Sequence, residues 1–117
     1  MGRTADLSHG LPVVSASVSC MDMGNLSAVI DEVNASDAAF WHYDVVDGRF
    51  NQCFILGDLL YPYLRARSKR PVELHLAVED PEHYIGAFSR YELDYVAVHA
   101  EAMKNPERIF QRIRALG

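Results

Sequence analysis

Long apolar runs are missing from this sequence. No stretch approaches the roughly 18 consecutive apolar residues that a spanning helix needs, so no transmembrane helix is expected. Cysteine is scarce: Cys20 and Cys53 are the only two, too few for a disulfide framework, and a reducing, cytoplasmic setting is the default. Positive charge is also short, with a formal net charge of −5. With no basic stripe outweighing the acids, the charge argues against a general nucleic-acid binder. The one basic cluster, Arg65, Arg67, Lys69 and Arg70, falls where a helix gives way to a strand and reads as a solvated cap and loop. Residues 1–11 lack the apolar centre of a signal peptide and read as a polar leader. Polar low-complexity tracts are absent as well. Half of the 117 residues are apolar and 23% are charged, which fits one folded domain, expected over residues 12–117.

What is present is a repeating order of elements. Leu11 to Val18 is rich in valine and carries the first strand signal. A helix then opens at Gly24, with Leu26, Val29, Ile30 and Val33 at i, i+3, i+4 and i+7, one apolar stripe. It ends at Asn34-Ala35-Ser36-Asp37. Ala39 to Val46 is the second strand, and Gly48 to Gly57 a loop. Asp58 is placed to cap the next helix, where Pro62 is tolerable because it falls in the first turn, and Leu60 and Leu64 carry that helix to about Arg67. Val72 to Val78 is the third strand. Asp80-Pro81-Glu82 starts a third helix with a capping Asp and Pro at the first helical position, and Ile85, Phe88 and Tyr91 form its buried side. Asp94 to His99 is the fourth strand. Asn105-Pro106-Glu107 repeats the same start signal, and Ile109, Phe110, Ile113 and Leu116 stripe a last helix that Gly117 is placed to stop.

Strand and helix thus alternate four times at roughly 28 residues per unit, the size of a βαβ repeat. Near-continuous apolar strands between amphipathic helices imply an α/β fold with a parallel sheet. Eight such units would make the roughly 225–250 residues of a closed (β/α)₈ TIM barrel. Four units predict a half barrel with two open sheet edges, which favours a homo-oligomer.

Chemistry concentrates in Trp41-His42-Tyr43-Asp44-Val45-Val46-Asp47-Gly48. His42 and Asp44 are two apart, so on a strand they share a face. A second imidazole, His75, lies in the neighbouring run Val72 to Val78. A lone strand histidine is most simply a hydrogen-bonded core residue. With Asp44 on the same face and His75 on the next strand, a metal site is the better reading. Two imidazoles and a carboxylate suit Zn²⁺, Fe²⁺, Co²⁺ or Mn²⁺, and ligand type does not choose among them. Asp47, before a glycine, reads as a turn former. His99 and Glu101 share a strand face near the same end and read as polar neighbours of the site rather than ligands. Cys20 and Cys53 read as small buried residues, Met21 and Met23 as packing, and His9 and His83 as surface.

Four spaced motifs resemble those of the ribulose-phosphate 3-epimerase family, with features similar to its allulose-6-phosphate 3-epimerase branch. They are Ala16-Ser17-Val18-Ser19-Cys20-Met21-Asp22 followed by Asn25-Leu26, then His42-Tyr43-Asp44-Val45-Val46-Asp47-Gly48. His75-Leu76-Ala77-Val78 leads into Glu79-Asp80-Pro81-Glu82, and His99-Ala100-Glu101-Ala102 completes the set. The likeness runs in order from about Val13 to Gly117 and covers the first half of the family's length.

The resemblance implies a metal-dependent epimerase acting on a ketose phosphate of the ribulose 5-phosphate or allulose 6-phosphate type. It implies that His42, Asp44 and His75 hold one divalent ion, that Asp44 is also one of two acid/base groups, and that Ser17 and His75 meet the substrate. The family's fourth ligand and second acid, an Asp on a seventh strand, and its phosphate-binding amides are expected beyond Gly117. Ala16 stands where the family has Pro. Val46 and Ala77 replace methionines, and Asn51-Gln52-Cys53 replaces Val-Pro-Asn. These changes bear on which sugar fits more than on the chemistry. Against the enzyme stands a second reading: a truncated, catalytically incompetent half barrel that acts as an assembly or interaction module.

Overall fold

The computed structural model describes residues 12–55 and 57–116. Its parallel strands are β1 (Ser15–Ser17), β2 (Phe40–Asp47), β4 (Val72–Ala77) and β5 (Tyr95–Val98). A short β3 (Phe54–Ile55) joins them in antiparallel sense, and the helices are α1 (Leu26–Asn34), α2 (Tyr61–Arg67), α3 (Pro81–Phe88) and α4 (Pro106–Arg114). The parallel strands lie in the order β1-β2-β4-β5, each beside the next parallel strand in the sequence. A doubly wound sheet would reverse direction partway and carry helices on both faces. This winding never reverses, as in a partial TIM barrel of about four βα units.

Alternation along the strands explains why one face is covered. Trp41, Tyr43 and Val45 of β2 and Val72, Leu74 and Leu76 of β4 are buried. They pack in one cluster with Ile30 of α1, Tyr61 and Leu64 of α2, Ile85 and Phe88 of α3, and Ile109 of α4. Every α-helix therefore lies on the same side of the sheet. Each such side chain contributes about 1.5–3 kcal/mol by leaving water. Trp41 keeps its indole N–H satisfied by donating to Ser68 Oγ at 2.9 Å, as a buried polar atom must. The other face carries Phe40, His42, Asp44, Glu73, His75 and Tyr95, all half-buried. The strands are thus not apolar throughout: the face that would line a barrel is largely polar.

Several expectations need correction. The first strand is only Ser15–Ser17, because the chain turns into a 3-10 helix at Val18–Cys20. Another 3-10 turn, Met23–Asn25, precedes α1, with the Asp22 carboxylate accepting from Gly24 N. Asp58 does not cap α2 with its side chain. Its carboxylate instead pairs with Arg90 and accepts from Tyr91 Oη at 3.0 Å. Asp80 and Asn105 do cap α3 and α4, accepting from His83 N and Arg108 N. Phe110 lies off the stripe of α4 and is 43% exposed, while Ile109, Ile113 and Leu116 at i, i+4 and i+7 face the core. Tyr91 lies beyond the end of α3, although it still packs on the core.

Cys20 and Cys53 are exposed rather than buried, one on the 3-10 turn and one on the loop. Met21 packs on the core but Met23 is exposed. The basic cluster is not simply solvated. Arg65 pairs with Glu92 and Asp94, Arg67 with Asp31, and Arg70 donates to the carbonyls of Asn34, Ser36 and Ala38. These arginines tie α2 and the strand after it to neighbouring segments. The leader, His9 and Gly117 lie outside the described residues. Among the described residues, no helix is long and apolar enough to cross a membrane.

Candidate active site

The parallel register builds the site. Ser17 is aligned with His42, His42 with Glu73, and Asp44 with His75. Residues in register share a face of a pleated sheet, so these side chains converge on the open side. Asp44 sits at the centre. His42 Nε2 and His75 Nδ1 each lie 2.8 Å from its Oδ1. On its other oxygen, Oδ2, Asp44 accepts from Ser17 Oγ at 3.1 Å and from Ser19 Oγ at 2.9 Å.

The outer nitrogens of both rings are also engaged. His42 Nδ1 is 2.6 Å from Glu73 Oε2, and His75 Nε2 is 2.9 Å from His99 Nε2. The imidazoles of His42, His75 and His99 form a ladder with successive centroids 5.0 Å apart. Phe50 closes its end against His99, with ring centroids 4.7 Å apart.

Burial pushes the Asp44 carboxyl up, but its partners outweigh that effect. Hydrogen bonds from His75 and Ser19, the charge on His42, and a hydrogen bond from Ser17 hold it below its ordinary value of 3.8. Asp44 is therefore a carboxylate at neutral pH, able to accept a proton or bind a cation.

His42, Asp44 and His75 each offer one ligand atom within 4.8 Å of the others. Ligand atoms about 2.1 Å from a tetrahedral ion stand about 3.4 Å apart, so closing on an ion needs only small side-chain movements. The donor set fits a divalent transition metal, with nitrogen, nitrogen and oxygen meeting at one point.

The expected site residues Ser17, His42, Asp44 and His75 are thus brought together. Asp47, the last residue of β2, does not join them; its Oδ1 accepts from Arg49 N and Phe50 N in the turn that follows. His99 touches His75 directly, and Glu101 stands 3.8 Å from His99 Nδ1. Sequence reasoning passed over Ser19 and Glu73. Glu73 carried a usable signal, since it lies two residues before His75 and so shares its face. Ser19 carried none, because it reaches Asp44 from a 3-10 turn rather than from a strand. A cavity of about 420 Å³ opens elsewhere, beside Val45, Val46, Phe54, Ile55, Tyr84 and Phe88. None of the residues clustered on Asp44 lines it; of its charged lining, Asp58 and Arg90 pair with each other and Asp47 is held by backbone amides.

Comparison with known proteins adds to this geometry. The family model for the ribulose-phosphate 3-epimerase family matches residues 13–117. The chain belongs to that family. A ribulose-phosphate 3-epimerase of Methanocaldococcus jannaschii is 33% identical over 104 residues, covering 89% of this chain and 44% of the relative. One from Bacillus subtilis is 34% identical over 104 residues, 89% of this chain and 48% of the relative. One from Mycobacterium tuberculosis is 32% identical over 111 residues, 94% of this chain and 47% of the relative. The chain spans about half the length of these curated epimerase relatives.

Proposed function

We propose that this chain provides one side of the centre of a divalent-metal-dependent ketose-phosphate 3-epimerase. What supports this reading is the convergence of two imidazole nitrogens on one oxygen of Asp44 while two hydroxyls occupy the other, together with relatives named ribulose-phosphate 3-epimerase. His42, Asp44 and His75 are the proposed ligands, Asp44 the acid/base group, and Ser17 and His75 the substrate contacts. A divalent ion supplies a Lewis acid for a substrate oxygen.

The chemistry follows from the carbon being inverted. A hydrogen on C3, next to a C2 ketone, is weakly acidic. Asp44, held ionised, takes that proton; the electron pair of the C–H bond forms the C2–C3 double bond as the carbonyl π pair moves onto the C2 oxygen, giving an enediolate. Inversion requires a proton to return from the opposite face. The resemblance assigns that role to an Asp outside these residues. Ser17 and Ser19 keep Asp44 Oδ2 hydrogen-bonded, which orients the carboxylate and leaves Oδ1 to face the histidines.

The test is solvent-deuterium incorporation at C3 of ribulose 5-phosphate and of allulose 6-phosphate, read by proton NMR alongside the metal content of the purified protein. The expected result is about one ion per chain, label at C3, and a loss of about 10²–10⁴-fold in exchange for Asp44→Asn, the usual share of a general base. Metal without label removes the catalytic reading and leaves the assembly-module reading, which the positions of β1 and β5 as the outer edges of the sheet order among the described residues favour. Those edges are also the ground for proposing self-association.

A further inference from the structure

We propose that Glu73 is the positioning residue of the metal centre, fixing the ring orientation and tautomer of His42. The inference rests on the metal-site reading above and adds a residue to it. Glu73 and His42 are aligned across β4 and β2 and share the open face. The contact between Glu73 Oε2 and His42 Nδ1, at 2.6 Å, is the shortest side-chain contact in the cluster around Asp44. Among the described residues, neither Lys nor Arg lies within ion-pair distance of Glu73, and the His42 ring is its partner. A half-buried carboxylate without a Lys or Arg neighbour is costly unless it is hydrogen-bonded, and His42 Nδ1 supplies that bond.

The arrangement of the ring shows what that bond serves. Imidazole is rigid, with its two nitrogens pointing to different sides. Without an ion, Nε2 carries the hydrogen of its 2.8 Å contact with Asp44 Oδ1; with Nδ1–H donating to Glu73, a cation bound on that side would displace the Nε2 hydrogen and meet its lone pair. A neighbouring carboxylate also makes that lone pair a stronger donor to a cation. Glu73 cannot itself take the ligand position, because the His42 ring stands between it and Asp44 Oδ1.

His75 supplies an internal contrast. It turns Nδ1 toward Asp44 and has another imidazole, His99, at its outer nitrogen. The two histidines thus present opposite nitrogens to one oxygen, and only His42 is backed by a carboxylate.

The test is titration of the metal-free protein with Zn²⁺ and with Co²⁺ for wild type, Glu73→Gln, His42→Ala and the double variant. Far-UV circular dichroism and urea unfolding of the metal-free forms run in parallel. Glu73→Gln keeps size and shape, and it is expected to weaken metal binding about 10–100-fold with the unfolding midpoint unchanged. In the His42→Ala background it is expected to cause no further weakening, since Glu73 acts through His42. A merely structural Glu73 would weaken binding equally in both backgrounds, or would move the midpoint, and either result overturns the proposal. Wild-type affinity retained by Glu73→Gln also overturns it while leaving the metal-site reading intact. A wild-type chain that binds neither ion overturns the metal-site reading and this proposal with it.

Discussion

Asp47 shows how much one carboxylate can organise. Its Oδ1 accepts from the backbone N–H groups of Arg49 and Phe50, and its Oδ2 accepts from Glu79 N at 2.8 Å. It therefore ties the turn after β2 to the turn after β4. Burial pushes its carboxyl up, but the amides of Glu79, Phe50 and Arg49 pull harder and hold it below its ordinary 3.8. A depressed folded-state value contributes stability above the unfolded-state value, and that stability is lost as pH falls through the folded-state value. Asp47→Ala is expected to cost about 1–2 kcal/mol at neutral pH, comparable to losing a helix cap. The gap should narrow as the medium is acidified past the carboxylate range. Urea unfolding of both proteins at neutral and acid pH measures it, and a gap independent of pH would count against the charged interaction. The sequence marked Asp47 as a turn former, but not its bond to Glu79, because that partner is 32 residues away.

At the scale of the element, β3 is the part that sequence could not supply. Two residues carry no periodicity, and this strand exists only because Val46 and Asp47 are paired with Ile55 and Phe54. β4 takes the other side of Val46 through Ala77, so β3 occupies the side of β2 that β1 leaves free beyond Ser17. The turn into the intervening loop depends on Gly48, whose φ is +73°. A Cβ there would also lie 2.4 Å from the ring of Phe54. The two effects differ in weight. Phe54 is 84% exposed and its ring can swing away, whereas the backbone term is fixed at about 1–2 kcal/mol. Gly48→Ala is therefore expected to cost about 1–2 kcal/mol in chemical unfolding. Adding Phe54→Ala should recover little of it; substantial recovery would mean that the ring clash, not the backbone, decides.

At the scale of the whole molecule, the helices cover one face of the sheet and leave the other to solvent. That open face carries Phe40 and Tyr95, with ring centroids 6.2 Å apart, beside the polar cluster. With β1 and β5 at the ends of the sheet order among the described residues, self-association is expected. Sedimentation velocity over a range of concentrations should show species larger than the monomer, and a single monomeric species throughout would sink the expectation. Because the open face is polar, such assembly would proceed through strand edges and aromatic contacts rather than a broad apolar surface.

The order of strands and helices, the proline-marked starts of α3 and α4, and the shared face of His42 and Asp44 were set by the sequence itself. Side-chain period and capping chemistry act over a few residues and leave local traces. The meeting of Ser17, Ser19, Glu73 and His99 with that pair was decided only by tertiary structure. So were the exposure of Cys20 and Cys53 and the arginine ties of Arg65, Arg67 and Arg70. Each depends on strand register or on a turn that brings together residues far apart in the chain, and no local pattern encodes those distances.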